Sequence, residues 1–158
     1  MNSNGTNGDP PAAGPHLEYQ RLRFSTQLPL DYLYHPTHYW LHRQRDGIWR
    51  AGLTRFAVRM LGEMVDHGFH VLPGQVVQAG QVIGFIEGFK AVSDLCCLVN
   101  GTFRQSNAAM KEQLHLLHRD PHGAGWLYEA EGHPDDLCVD ADGYRLILDQ
   151  AIDRLAGQ

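Results

Sequence analysis

Lysine is nearly missing from this chain. Among 158 residues only Lys90 and Lys111 are lysines, against eleven arginines, so chemistry at a side-chain amine has two candidates. Cysteine is sparse as well. Cys96 and Cys97 are adjacent and Cys138 is distant, which makes no disulfide framework and fits a reducing compartment best. A basic excess is absent: the net charge of −5 argues against a nucleic-acid footprint. No apolar run approaches the roughly 18–20 residues that span a membrane. The N-terminus shows no secretory pattern, and residues 1–20 hold no Lys or Arg from which to build a transit peptide. A cytoplasmic protein with neither membrane nor nucleic acid as partner is expected. Catalytic signatures are also lacking: there is no His-Glu-x-x-His, no Gly-x-Ser-x-Gly and no phosphate-binding glycine loop.

What is present suits one domain with one ordinary core, since 43% of the residues are hydrophobic. Residues 1–16 are rich in Asn, Gly and Pro and cannot bury enough surface to offset ordering, so a disordered tail is expected there, with a single domain over 17–158. Arg45-Asp46-Gly47 between Trp40-Leu41 and Ile48-Trp49 predicts a hairpin. Thr54 predicts a helix cap, followed by Phe56/Met60 and Ala57/Leu61 four apart, with Gly62 as the stop. From Met64 to Phe103 short apolar runs alternate with Gly74, Gly80, Gly84, Gly88 and Gly101, pointing to tight turns in a small, closed antiparallel sheet. Asn107–Leu117 reads as a short helix or helical turn, and Gly125–Tyr128 as a strand. Glu129, Glu131, Asp135, Asp136, Asp140 and Asp142 read as a solvated loop and helix start. With Asp142 as cap, Tyr144, Leu148, Ile152 and Leu155 then form one apolar helical stripe.

Lys90 sits in Ile86-Glu87-Gly88-Phe89-Lys90-Ala91-Val92, a strand, a turn permitted by Gly88, and the start of another strand. A lone lysine at such a tip is ordinarily a solvated charge. Its frame says more. Glu87, Lys90, Ala91, Ser93, Asp94, Leu95, Val99 and Gly101 fit the pattern E-S-V-K-A-x-S-D-(I/L)-Y-A-P-V-x-G, and Gly74 and Gly101 stand sixteen residues before and eleven after the lysine. His38-x-Trp40-Leu41, Gly52-Leu53-Thr54 with Leu61-Gly62, and Asp120-Pro121-His122-Gly123-Ala124-Gly125-Trp126-Leu127 follow in collinear order. In these segments, over roughly residues 32–155, the chain resembles the glycine cleavage system H protein family.

That resemblance implies a mainly β fold, the flattened antiparallel barrel-sandwich hybrid of lipoyl and biotinyl carriers, with short helices and a C-terminal helix. It implies no catalytic residue and no metal, but lipoic acid bound covalently to Lys90. The modifying enzyme, a lipoate ligase or lipoyl transferase, would read Glu87, Gly74 and Gly101. Partners would be glycine decarboxylase, aminomethyltransferase and dihydrolipoyl dehydrogenase, visited in turn by a monomer. The chemistry would reside in the dithiolane while the protein supplies position and recognition.

Several positions depart from the family pattern. Tyr39 replaces a glutamate, Gly88-Phe89 replaces Ser-Val, and Cys96-Cys97-Leu98 replaces Tyr-Ala-Pro. The segment 61–74 is about one residue longer and carries His67 and His70. These changes leave open another lipoyl pathway, such as heterodisulfide-reductase-linked sulfur oxidation with its own partner enzymes. An unlipoylated scaffold and a biotinyl carrier are further alternatives, the latter disfavoured because Lys90 lies between Phe89 and Ala91 and not between methionines. Cys96 and Cys97 read as buried strand residues. His35/His38 and His67/His70 are three apart but lack a completing ligand. Arg55 and Arg59 share a helix face, which is ordinarily solvated.

Overall fold

The computed structural model describes residues 14–158. Most of the expected tail therefore lies outside the described residues, and His16 already opens a strand. In chain order the strands are β1 (His16–Arg21), β2 (Phe24–Pro29), β3 (Leu33–His35), β4 (Tyr39–Arg45), β5 (Ile48–Leu53), β6 (Met64–Phe69), β7 (Val76–Val77), β8 (Val82–Gly88), β9 (Val92–Cys96), β10 (Val99–Ser106) and β11 (Tyr128–Pro134). Helices α1 (Arg55–Leu61), α2 (Leu116–Arg119) and α3 (Ala141–Ala156) complete it, with a 3-10 turn at Ala108–Lys111.

The pairing is antiparallel throughout, as the resemblance implies. The described strands do not, however, close into one sheet. They form a β1-β2 hairpin, a six-stranded sheet in the order β3-β4-β5-β11-β10-β7, and a three-stranded sheet in the order β6-β8-β9. The chain passes from the three-stranded sheet to β7 and back within residues 70–81, so Gly74 (φ 90) and Gly80 (φ 88) mark crossings between sheets. Side chains from both sheets, among them Leu41, Ile83, Ile86, Leu95, Phe103 and Tyr128, share the first core. Strand β4 serves two cores. Tyr39 and Leu41 face the first, while Trp40 points to the second, as side-chain alternation requires.

The second core was not legible in the sequence. It joins the β1-β2 hairpin to α3 through Tyr19, Phe24, Leu28, Tyr34, Phe56, Tyr144 and Leu148. In β2, Phe24, Thr26 and Leu28 turn inward while Ser25 and Gln27 stay outside. Tyr19 donates to Asp149 Oδ1 at 2.7 Å, and Arg21 reaches Asp153 at 2.7 Å.

The other predicted elements are present with shifted ends. Gly47 (φ 71) turns the β4-β5 hairpin, and Thr54 caps α1 by accepting from Ala57 N–H. Asn107 caps the 3-10 turn. Of Gly125–Tyr128 only Tyr128 is strand, because Asp120 holds the preceding residues in a turn: its carbonyl accepts from Gly125 N–H and its carboxylate from Ala124 N–H. Asp140, not Asp142, caps α3 by accepting from Gly143 N–H at 2.8 Å. Glu129 and Glu131 belong to β11 and not to a loop. Glu129 is buried, accepting from Gln105 at 2.5 Å and Arg50 at 3.2 Å. Leu155, at the end of the expected stripe, is exposed.

Candidate functional site

Strands β8 and β9 pair with Ile86 opposite Ser93 and Glu87 opposite Val92, which leaves Gly88–Ala91 as the tip. Gly88 N–H donates to Ala91 O at 2.9 Å and closes it. The tip is fastened to the end of α1. Phe89 N–H donates to Glu63 O and Lys90 N–H to Leu61 O, both at 2.9 Å.

Two glycines make that approach possible. A methyl group at Gly88 would stand 2.7 Å from the Leu61 carbonyl carbon and closer still to its oxygen. At Gly62, whose φ is 78, it would meet Lys90 Cγ at 2.9 Å. The Leu61-Gly62 pair of the sequence motif therefore forms the seat of the lysine, a contact between segments that the sequence leaves 28 residues apart. The Lys90 side chain itself is exposed. Lys111, the other amine, lies on the 3-10 turn.

Among the predicted recognition residues, only Glu87 lies at this tip. It is half-buried and pairs with Asp66 as well as Val92. Gly101 belongs to the six-stranded sheet, and Gly74 lies in the turn that leads into it. Gly74 N–H donates to Phe103 O, and Gly101 pairs with Val77. Gly101 also lies tightly against β11, where a methyl would meet Gly132 Cα at 3.0 Å.

Of the residues that depart from the family pattern, Gly88 and Phe89 lie at the tip, whereas Cys96, Cys97 and His70 lie toward the opposite end of β8. Phe89 is 77% exposed beside the lysine, and Val65 and Val92 are exposed close by. The β6-β8 register shifts between Met64 and Asp66, a bulge within segment 61–74. Tyr39 is buried. Its hydroxyl donates to Asp94 O and accepts from Cys96 N–H, both at 3.2 Å, and burial pushes it up to about 12. Cys97 is fully buried and Cys96 partly; burial raises both thiols, so neither is an activated nucleophile.

The histidine pairs do not converge on a metal. His35 hydrogen-bonds Asp135 and Thr37, and no cluster of three His, Cys, Asp or Glu groups occurs among the described residues. His38 has a left-handed backbone (φ 74), and its ring bonds the Tyr144 hydroxyl at 2.8 Å. Its carbonyl accepts from Thr54 N–H at 3.1 Å, while Gly52 leaves room for the Trp40 indole. The two early motifs are thus one contact. Arg55 donates to His118 O, and Arg59 lies 5.9 Å from the Phe24 ring.

Several depressions border the hairpin, one of about 450 Å³ lined in part by Val92, Ser93, Asp94 and Cys96. A cleft of about 160 Å³ is bounded by Thr37, His38, Tyr39, Met60 and Ser93. A larger groove of about 610 Å³ includes Lys90 in its wall.

A model of the glycine cleavage H-protein matches residues 32–137. The chain belongs to the glycine cleavage H-protein family. The H protein of Corynebacterium jeikeium is 34% identical over 125 residues, covering 76% of this chain and 96% of that one. That of Shewanella sp. (strain ANA-3) is 30% identical over 130 residues, covering 79% and 98%. The crystal structure of the glycine cleavage H protein from Mycobacterium marinum superposes with a TM-score of 0.67 at 32% identity, over 74% of this chain and 95% of that one. Like other glycine cleavage H proteins, the chain is a carrier component and not an enzyme. Strands β1 and β2 and the whole of α3 lie outside the segment that the family model matches.

Proposed function

We propose that Lys90 carries lipoic acid in amide linkage and shuttles an aminomethyl group between the enzymes of glycine cleavage. The observation that carries this reading is the lysine at an exposed hairpin tip whose backbone is bonded to the end of α1. Acylation removes the ammonium charge, and the anchored root lets the arm move without disturbing the sheet. A lipoate ligase or lipoyl transferase attaches the group, reading Glu87 at the tip and the turn shapes set by Gly74 and Gly101. Glycine decarboxylase loads the arm, aminomethyltransferase unloads it and dihydrolipoyl dehydrogenase reoxidises it. The carrier works as a cytoplasmic monomer built from one domain over residues 17–158. The names of the relatives favour this pathway over sulfur oxidation.

Coexpression with a lipoate ligase is expected to add one lipoyl mass to the intact chain, and Lys90→Arg to abolish it while Lys111→Arg does not. An unmodified wild-type chain across several ligases refutes the attachment. Purified glycine decarboxylase then tests the pathway: a lipoylated chain that takes no aminomethyl group from it refutes glycine cleavage.

A further inference from the structure

The turn of the β1-β2 hairpin holds its first residue under strain. Arg21 pairs with Phe24, so Leu22 and Arg23 form a two-residue turn. Leu22 has φ 52 there, a left-handed backbone that glycine or asparagine adopts more easily than leucine. Among the described residues His38 is the only other non-glycine with a positive φ. The Leu22 side chain is 65% exposed, so burial in the core does not offset the strain. A strained leucine that its own fold leaves in solvent points to a contact made with another molecule.

Leu22 lines the groove of about 610 Å³ that Lys90 borders, and Phe24, Met60, Ile152 and Leu155 continue its apolar lining. Met60 and Leu155 are exposed as well. The hairpin and α3 both lie outside residues 32–137, the segment that the family model matches. The groove's charges have one sign. Arg21, Arg23, Arg59 and Lys90 line it and no carboxylate does, in a chain whose net charge is −5. Arg21 is neutralised by Asp153 and Asp149, at 2.7 and 3.5 Å. Arg23 and Arg59 form no ion pair among the described residues, and Arg59 lies 5.9 Å from the Phe24 ring. Arg23, Arg59 and Lys90 are all exposed, so three cations without a carboxylate edge an apolar depression.

We infer that this groove docks an acidic, apolar segment of the enzyme that acylates Lys90. Leu22 meets the segment's apolar side chain, and Arg23 and Arg59 meet its carboxylates. The inference rests on the carrier reading and adds a recognition surface to it. Charge complementarity selects an acidic occupant. The lysine selects which one. Before acylation three cations face the segment; afterwards Lys90 is a neutral amide and two remain. The attraction is therefore stronger for the unmodified chain than for the product, the order in which an acylating enzyme must bind and release. An enzyme that works on the loaded arm meets only the weaker form. Arg23 and Leu22 lie on another hairpin than the reacting amine, so their contacts are the same in the ground and transition states and act on KM.

The test is steady-state lipoylation of the full chain by the lipoate-attaching enzyme of its own organism, read by intact mass. Arg23→Glu with Arg59→Glu is expected to raise KM for the chain about tenfold, with kcat within about twofold of wild type. Lys111→Glu, a charge reversal on the 3-10 turn, is expected to leave both constants unchanged. Leu22→Gly separates docking from folding. It relieves the left-handed backbone, so its melt is expected no lower than wild type, yet KM is expected to rise several-fold. Added salt is expected to raise the wild-type KM and to leave that of the double variant nearly flat. At least one carboxylate-to-arginine substitution on the enzyme's surface is expected to restore the double variant. A wild-type KM in the double variant or in Leu22→Gly, or an equal loss in Lys111→Glu, overturns the docking inference while Lys90 stays the attachment point. Sedimentation of the wild type as an oligomer that Leu22→Gly breaks assigns the groove to a second copy. Cosedimentation with phosphatidylglycerol vesicles that Leu22→Gly abolishes assigns it to a membrane, and either result also overturns the inference. A wild-type chain that is not lipoylated at all overturns the carrier reading and this inference with it.

Discussion

Replacing Gly88 by alanine tests how the lysine is seated. The new methyl would stand 2.7 Å from the Leu61 carbonyl carbon, where carbon atoms settle at about 3.5–4.0 Å. The obstacle is backbone on both sides, so no side-chain rotation relieves it. The hairpin must lift from α1 by roughly 1 Å, which takes the Lys90-to-Leu61 and Phe89-to-Glu63 bonds from 2.9 Å beyond hydrogen-bonding range. Two backbone bonds at about 1 kcal/mol each, with about 1 kcal/mol of residual strain, give a loss of about 3 kcal/mol. Urea unfolding should show a lower midpoint at unchanged slope. Lipoylation by purified ligase, followed by intact mass under conditions where the variant remains folded, should slow because the lysine no longer sits on a fixed turn. Gly74→Ala is the control: its methyl meets nothing within 4 Å, so only its positive φ counts, at about 1–2 kcal/mol. Equal destabilisation by the two substitutions, or an unchanged midpoint for Gly88→Ala, would refute the reasoning.

Other outcomes follow from single contacts. Burial pushes His38 down to about 4, with His35 adding to the effect, whereas an unfolded histidine titrates near 6.5. The unfolded chain therefore binds the proton first: stability is full above pH 6.5 and is lost as pH falls toward 4, by at most about 3 kcal/mol. His38→Asn, which tolerates the left-handed backbone, should flatten that acid limb in pH-dependent melts; an unchanged limb assigns it elsewhere. Tyr39→Phe removes the hydroxyl that links Asp94 O to Cys96 N–H and should cost about 1–2 kcal/mol, measured by denaturant unfolding. Glu129→Ala removes the carboxylate that Arg50 pairs with and should cost about 2 kcal/mol, discounted for the arginine's partial exposure; Glu129→Gln should recover part of it in the same assay.

Local rules made much of the chain legible in the sequence. The Asp46-Gly47 turn, the Thr54 cap and the glycine-punctuated strands are short-range features, set by φ preferences and nearest-neighbour hydrogen bonds. The frame around Lys90 carried the family resemblance because it is contiguous. Asp140 in place of Asp142 shows the limit of such rules: two acidic residues offered the same cap, and packing of Ala141 and Tyr144 into the second core chose between them. The β1-β2 hairpin was missed because its turn is Leu22-Arg23, without glycine, asparagine or proline.

The sequence by itself thus determined an antiparallel β carrier fold and singled out one lysine. Tertiary structure decided what that lysine rests on and what lies beside it. Lys90 meets Leu61–Glu63 and borders a groove walled by residues 22–24 and 152–155, contacts between segments as far as 68 residues away in the chain. Hydrophobic burial carries no record of sequence separation. It brings Tyr19 and Phe24 onto α3, and that closure forms the walls beside the hairpin tip.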